Sequence, residues 1–223
     1  MIPALPPQSV LVISTSSIMG YSLSWLAVKG KSPQAVRDAL SFHPTGECEE
    51  IPESAISAAE TPNGWYLIVA NRREQVTSDF LLKRLSESDC EIVTCFVEEH
   101  VMVSQATGWR DGKRTWLLNH DCQQGLRHLE VEGDLPQSFA AIRDGLLAKQ
   151  TEESCDYIFD IPVETARSLV GYRHDQDIPG MSGEVFQVLA EIEPINPVAP
   201  PAPANQPSSP GRKQSFLKKL FGG

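Results

Sequence analysis

The segment around Asp111 and Gly112 restricts the fold of this chain more than any other feature of its sequence. It reads GWRDGKRTW, with an Asp-Gly pair between two stretches that carry tryptophan and charged residues. Such a pair is typical of a two-residue type I′ turn, because both central residues of that turn have positive φ. The segment therefore predicts an antiparallel hairpin in which Arg110 lies opposite Lys113.

Apolar periodicity predicts further strands and helices around this hairpin. The predicted strands cover residues 21–28, 64–72 and 90–98, with 126–133 as a further candidate. The predicted helices cover residues 32–40, 77–88, 136–150 and 161–171. The polar stretch 42–54 is interpreted as a connection, and 183–193 fits either a strand or a helix. This order predicts one α+β domain over residues 19–192, a mixed or antiparallel sheet of five or six strands with helices mainly on one face.

The acidic charge of the chain is confined to residues 1–193. The 223 residues have a net charge of −10, and the last acidic residue is Glu193. Four basic residues follow it, so residues 1–193 carry a net charge of −14. A body this acidic repels phosphate backbones, and we therefore expect no direct binding of nucleic acid.

The cysteine pattern and the amino terminus favour a cytoplasmic protein. The chain has five widely spaced cysteines, an odd number that cannot pair completely into disulfides. Reduced thiols are therefore the simplest interpretation. No run of apolar residues is long enough to span a membrane. Residues 1–18 lack the basic region and cleavage site of a signal peptide. We expect them to be disordered or to precede the working start at Met19.

Two polar clusters lie at the ends of the strands around the hairpin: Glu98, Glu99 and His100, and then His120, Asp121 and Cys122. If their strands are neighbours, His100 and His120 would approach a carboxylate, as a general acid–base pair or a metal site requires. The alternative is a set of solvated polar residues at strand ends, and alternation places Asp121 on the face opposite to His120. No motif supplies a complete set of ligands or roles, so the sequence predicts no catalytic residue, no metal and no cofactor.

Two short motifs near the end of the folded region are incomplete. DQDIPG, at residues 175–180, begins like a calcium-binding loop, but Phe186 occupies the position of the bidentate glutamate. GMSGE is one residue short of a nucleophile elbow and follows no predicted strand. The four tryptophans are interpreted as core residues rather than the lining of a pocket: Trp25, Trp65, Trp109 and Trp116.

A basic, apolar peptide ends the chain after a proline-rich segment. Seven of the seventeen prolines fall in residues 194–210, so 193–211 is predicted to be an extended linker. In the tail, residues 212–223, four apolar side chains would share one face of a two-turn helix, with two lysines on the opposite face. The predicted partner-binding residues are Phe216, Leu217, Lys218, Lys219, Leu220 and Phe221.

Several partners would suit this tail. A groove on another protein would bind the apolar residues as anchors of a short helix. An anionic membrane would attract the basic residues, but so short a segment gives only transient attachment. The tail would also be attracted to the acidic body of its own chain, and an inert, disordered end is the remaining alternative.

Between Met19 and about Asp175 the chain resembles a set of uncharacterised bacterial cytoplasmic proteins. The resemblance is carried by MGYSLSWLAVKGK, GWYLIVANR, GWRDGKRTW and IPVETARSLVGYRHD. It implies a bacterial cytoplasmic protein and assigns no activity. The sequence thus favours a non-enzymatic interaction or regulatory protein whose tail docks on a protein partner. The alternatives are an immunity- or antitoxin-like binder that uses its acidic surface, and an enzyme with a site near residues 100–122.

Overall fold

A computed structural model describes residues 20–72, 75–87, 89–151 and 156–192 of this chain. Their main feature is a single nine-stranded antiparallel sheet with the order β2-β9-β3-β4-β1-β5-β6-β7-β8. The strands are β1 Ser22–Lys29, β2 Phe42–Glu49, β3 Ile56–Glu60, β4 Tyr66–Asn71, β5 Glu91–Glu98, β6 Val103–Arg110, β7 Lys113–Asp121, β8 Glu130–Gly133 and β9 Phe186–Glu191. The α-helices are α1 Pro33–Leu40, α2 Asp79–Leu85, α3 Phe139–Leu147 and α4 Asp160–Val170.

The predicted hairpin is confirmed as β6 and β7. Asp111 and Gly112 have φ values of 52° and 70°, as a type I′ turn requires. Arg110 pairs with Lys113 in the register of the two strands. This hairpin and β5 form a continuous antiparallel meander, so each of these strands follows its neighbour along the chain.

The sheet is larger than the sequence predicts, because the interpretation of 42–54 as a connection is wrong. Within and just after this stretch lie β2 and β3, and β9 pairs with both of them. β2 is polar because it is the edge strand of the sheet, and six of its eight residues are exposed. An exposed edge strand lacks the apolar alternation by which strands are recognised. The sheet therefore has nine strands rather than five or six.

The prediction that helices lie mainly on one face is also wrong, because both faces of the sheet are covered. In β1, Leu23 and Trp25 belong to a core shared with α3 and α4, whereas Leu26 and Val28 belong to a second core shared with α1 and α2. Both alternating sets of β1 side chains are buried. The central strands are consequently apolar on both sides, and each face needs its own helices.

Local capping signals fix the start of α1 and the end of α4. Ser32 caps α1 by accepting a hydrogen bond from the Ala35 amide, with Pro33 in the first turn, as predicted. Gly171 ends α4 in the left-handed region at φ 85°. The chain turns there, and the segment that follows α4 begins at Tyr172.

No helix among the described residues is long and apolar enough to cross a membrane. The four cysteines of the described ranges are free thiols: Cys48, Cys90, Cys95 and Cys122. The predictions for residues 1–18, for the linker 193–211 and for the tail 212–223 lie outside the described residues.

Candidate functional site

The candidate site is a cleft of about 480 Å³, which we call the cleft throughout. It is lined by Tyr21 at the start of β1, by residues 50–52 after β2, and by parts of the segment 172–186 between α4 and β9. Its walls include the apolar side chains of Ile178, Met181 and Val185. The three contributing segments are far apart in sequence, so the cleft exists only in the folded protein.

Tyr172 lies at the base of the cleft and is almost completely buried, with 2% of its surface exposed. Its ring packs edge-on against Trp25 at a centroid distance of 5.7 Å and against Phe186 at 6.1 Å. The buried hydroxyl oxygen has no hydrogen-bond partner among the described residues. Burial raises the pKa of this hydroxyl, so it stays protonated and able to donate.

His174 lies beside Tyr172 in the cleft and is held by Glu99. Its Nε2 is 3.2 Å from Glu99 Oε1, and Glu99 Oε2 accepts a hydrogen bond of 2.9 Å from the Tyr21 amide. A carboxylate only accepts hydrogen bonds, so Nε2 donates to Glu99, and in the neutral imidazole Nδ1 is then an acceptor. Nδ1 is buried and has no partner among the described residues. The rings of Tyr21 and His174 pack edge-to-face, with 4.8 Å between their centroids.

Arg173, which is not among the residues that line the cleft, fastens this segment to α4. Its guanidinium donates to Asp160 at 2.9 Å, to Glu164 at 2.5 Å and to Asp175 at 2.6 Å. Burial alone would raise the pKa of the Asp175 carboxyl, but the hydrogen bond and charge of Arg173 hold this pKa below its ordinary value. Residues 172 and 174 therefore face the cleft from a backbone that is held by three ion pairs.

The wall formed by residues 50–52 is held by Glu49. Its carboxylate accepts hydrogen bonds from the Ser54 amide, from the Ser54 hydroxyl at 2.9 Å and from the Ser57 hydroxyl. Asn71 Nδ2 donates to the carbonyl oxygens of Pro52 and Ser54, each at 2.7 Å. These bonds join the loop between β2 and β3 to the sheet, so that side of the cleft is preorganised.

The rim of the cleft is acidic. Glu50, Asp175 and Asp177 line it and are exposed, whereas its described lining contains no lysine or arginine. Glu99 adds a fourth carboxylate behind His174. Because body and rim are both negative, the cleft attracts cations and repels phosphates and carboxylates.

His100 and His120 have separate hydrogen-bond partners, and no hydrogen bond joins them among the described residues. His100 is in the turn after β5, where its Nδ1 is 2.7 Å from Glu98 Oε1. His120 is fully buried, with Nδ1 2.7 Å from the His128 carbonyl oxygen and Nε2 2.9 Å from Asp156 Oδ2. Both of its ring nitrogens are occupied, so it supports the packing of β7.

Asp121 and Cys122 have local structural contacts. Asp121 accepts a hydrogen bond from the Gln123 amide and so caps the 3₁₀ helix Cys122–Gln124. Hydrogen bonds from Gln124 and from the Gln123 amide lower the pKa of the Asp121 carboxyl. The Cys122 thiol donates to the Val101 carbonyl oxygen. Within the described ranges no group of three or more histidine, cysteine, aspartate or glutamate residues could hold a metal ion.

The remaining sequence predictions divide in two. The four tryptophans are buried in the two cores, as predicted. The predicted partner-binding residues of the tail lie outside the described residues: Phe216, Leu217, Lys218, Lys219, Leu220 and Phe221.

Sequence reasoning missed Tyr172 and His174, although one signal was present. They belong to YRHD, which follows directly on the glycine that ends α4. Four consecutive hydrogen-bonding side chains after the end of a helix indicate a candidate functional segment, because functional residues concentrate on connections held by a rigid scaffold. The partner Glu99 is 75 positions away, and no local pattern links it to His174.

Comparison with known protein families, curated proteins and solved structures found no match to this chain. The resemblance to uncharacterised bacterial proteins stays a prediction.

Proposed function

We propose that this protein is a non-enzymatic interaction protein whose cleft binds a basic side chain of a partner protein. One observation carries this proposal: a cleft of about 480 Å³ with apolar walls has three carboxylates on its rim and no lysine or arginine in its described lining. Lysine and arginine combine an apolar stem with a cationic end. The stem would pack on the walls, and the charge would be compensated by the rim.

The cleft proposal is tested with a matched pair of probes. The full chain is titrated with N-acetyl-arginine amide and with N-acetyl-citrulline amide, which has nearly the same shape but no charge, and binding is followed by NMR. We expect saturable shifts of the Tyr21 and His174 signals with arginine, and binding of citrulline weaker by about tenfold, the loss of a charge-assisted contact. Equal binding of both probes, or shifts spread over the whole surface, would contradict the proposal.

Variants of the rim provide the second arm of this test. Glu50→Gln combined with Asp177→Asn removes two negative charges from the rim, while Glu47→Gln removes an exposed charge that does not line the cleft. The rim variant should weaken arginine binding several-fold more than the control. If both variants weaken it equally, the attraction comes from the acidic body as a whole. That result would favour the broad acidic surface of an immunity- or antitoxin-like binder, whose affinity falls steeply with salt.

We propose that the C-terminal tail provides a second, separate contact with a protein partner. Its support is the sequence: four apolar residues at helical spacing lie beside the basic residues that follow the last acidic residue, after a linker that resists collapse. Apolar anchors should contribute most of the affinity, and lysines mainly the association rate.

The tail proposal is tested by two double variants. Phe216→Ala with Phe221→Ala should reduce partner binding several-fold more than Lys218→Ala with Lys219→Ala, as measured by quantitative pull-down. If the lysine pair matters more, and binding follows the anionic lipid content of added vesicles, the tail binds membranes instead. If neither double variant changes any interaction, the tail is inert.

The enzyme alternative near residues 100–122 receives no support from the geometry. Both nitrogens of His120 are hydrogen-bonded in a fully buried position, whereas His100 lies in the turn between β5 and β6 and contacts Glu98. A general base needs a free nitrogen within reach of a substrate.

A further inference from the structure

Buried polar atoms without partners are concentrated at the base of the cleft. Four such side-chain atoms occur among the described residues: Trp25 Nε1, Arg37 Nε, Tyr172 Oη and His174 Nδ1. Tyr172 and His174 line the cleft, and Trp25 contacts the Tyr172 ring. Since nearly all buried polar groups in folded proteins are hydrogen-bonded, such a concentration calls for an explanation.

We propose that Tyr172 Oη and His174 Nδ1 form a receptor for a guanidinium group, so that the cleft selects arginine over lysine. The inference rests on the proposed function, because it specifies which basic side chain the cleft binds. In the neutral imidazole, His174 Nδ1 is an acceptor when Nε2 donates to Glu99. Tyr172 Oη can accept a hydrogen bond as well. Two side chains that line the cleft thus each carry one buried acceptor without a partner among the described residues.

A guanidinium group suits this arrangement better than an ammonium group. It presents five N–H donors in a rigid plane and reaches two separate acceptors without bending. An ammonium group is a compact point charge that keeps its water more strongly. Loss of hydration in the buried part of the cleft therefore costs lysine more free energy than arginine.

The surroundings compensate the charge of the bound group. Glu99, whose carboxylate contacts His174 Nε2, places a negative charge directly behind the imidazole. Asp175 is already paired with Arg173, so Glu99 and the other two rim carboxylates, Glu50 and Asp177, remain to balance the ligand. Tyr21 is 43% exposed and lines the cleft, and its ring offers a surface on which a guanidinium plane can stack.

The test compares N-acetyl-arginine amide with N-acetyl-lysine amide on the full chain, by NMR titration. Arginine should bind about tenfold tighter, the difference that one well-placed charge-assisted hydrogen bond makes. Tyr172→Phe keeps the ring and its packing but removes the hydroxyl. It should lower the affinity for arginine by about tenfold and leave that for lysine within about twofold.

Tyr66→Phe is the matched control, because Tyr66 is a buried tyrosine outside the cleft whose hydroxyl is bonded to Arg37. It should leave both affinities unchanged. Equal affinities of the wild-type chain for arginine and lysine, with a clear preference over citrulline, would overturn the guanidinium receptor and keep the proposed function. No preference over citrulline would overturn the proposed function itself. The comparison of arginine with lysine on the wild-type chain needs no variant, so it tests the guanidinium receptor even if Tyr172→Phe fails to fold.

Discussion

Replacing Tyr172 by phenylalanine is expected to stabilise this protein. The hydroxyl is buried and lacks a partner among the described residues, so the folded state bears the cost of its desolvation without a compensating bond. Such a cost is about 1 to 3 kcal/mol. Phenylalanine keeps the ring contacts with Trp25 and Phe186. We therefore expect the free energy of unfolding to rise by about 1 to 2 kcal/mol.

Thermal and urea unfolding measure this change. For a domain of this size, 1 kcal/mol corresponds to a shift in Tm of about 2 to 4 °C, so Tm should rise by about 2 to 8 °C. Tyr66→Phe is again the control. Its hydroxyl accepts a hydrogen bond of 3.1 Å from Arg37, so its removal should lower stability by about 0.5 to 1.5 kcal/mol.

We thus expect Tyr172→Phe to raise the free energy of unfolding and Tyr66→Phe to lower it. If Tyr172→Phe destabilises the protein as much as Tyr66→Phe does, the Tyr172 hydroxyl is bonded in the folded state and the reasoning on the cleft is refuted. If it stabilises the protein and also weakens arginine binding, the hydroxyl is retained for binding at a cost in stability.

Three further predictions concern the scaffold. Gly108→Ala should lower the free energy of unfolding by more than about 2 kcal/mol in urea titrations, because a Cβ at Gly108 would overlap the indole ring of Trp116 at Nε1. An unchanged midpoint would contradict this. Asp175→Asn should destabilise the protein at pH 7, and this effect should shrink as the pH falls below the ordinary carboxyl pKa. Arg173 lowers the folded-state pKa of that carboxyl, so the ionised carboxyl stabilises the protein above its ordinary pKa of about 3.9, and this stabilisation is lost as the pH falls. A difference in stability between variant and wild type that does not depend on pH would argue against the ion pair. His120→Leu should cost about 2 to 4 kcal/mol in thermal unfolding, because it removes two buried hydrogen bonds and leaves a carboxylate without its partner; a neutral effect would show that the network is dispensable.

Local signals in the sequence determined the elements whose geometry depends on adjacent residues. The Asp-Gly turn has the predicted positive φ values at both central positions. Ser32 and Pro33 begin α1, and Gly171 ends α4, as capping chemistry requires. These features were predictable because the atoms that stabilise them lie within a few positions of each other.

The tertiary structure alone decided the size of the sheet and the place of the site. β2 is polar because it is an edge, and β9 becomes a strand because it lies between β2 and β3, which its ambiguous periodicity did not indicate. His174 meets Glu99 across 75 positions, and Tyr172 is buried against Trp25 across 147. Such pairs depend on how strands are ordered in the sheet, and strand order follows from the sum of many long-range contacts rather than from any local pattern.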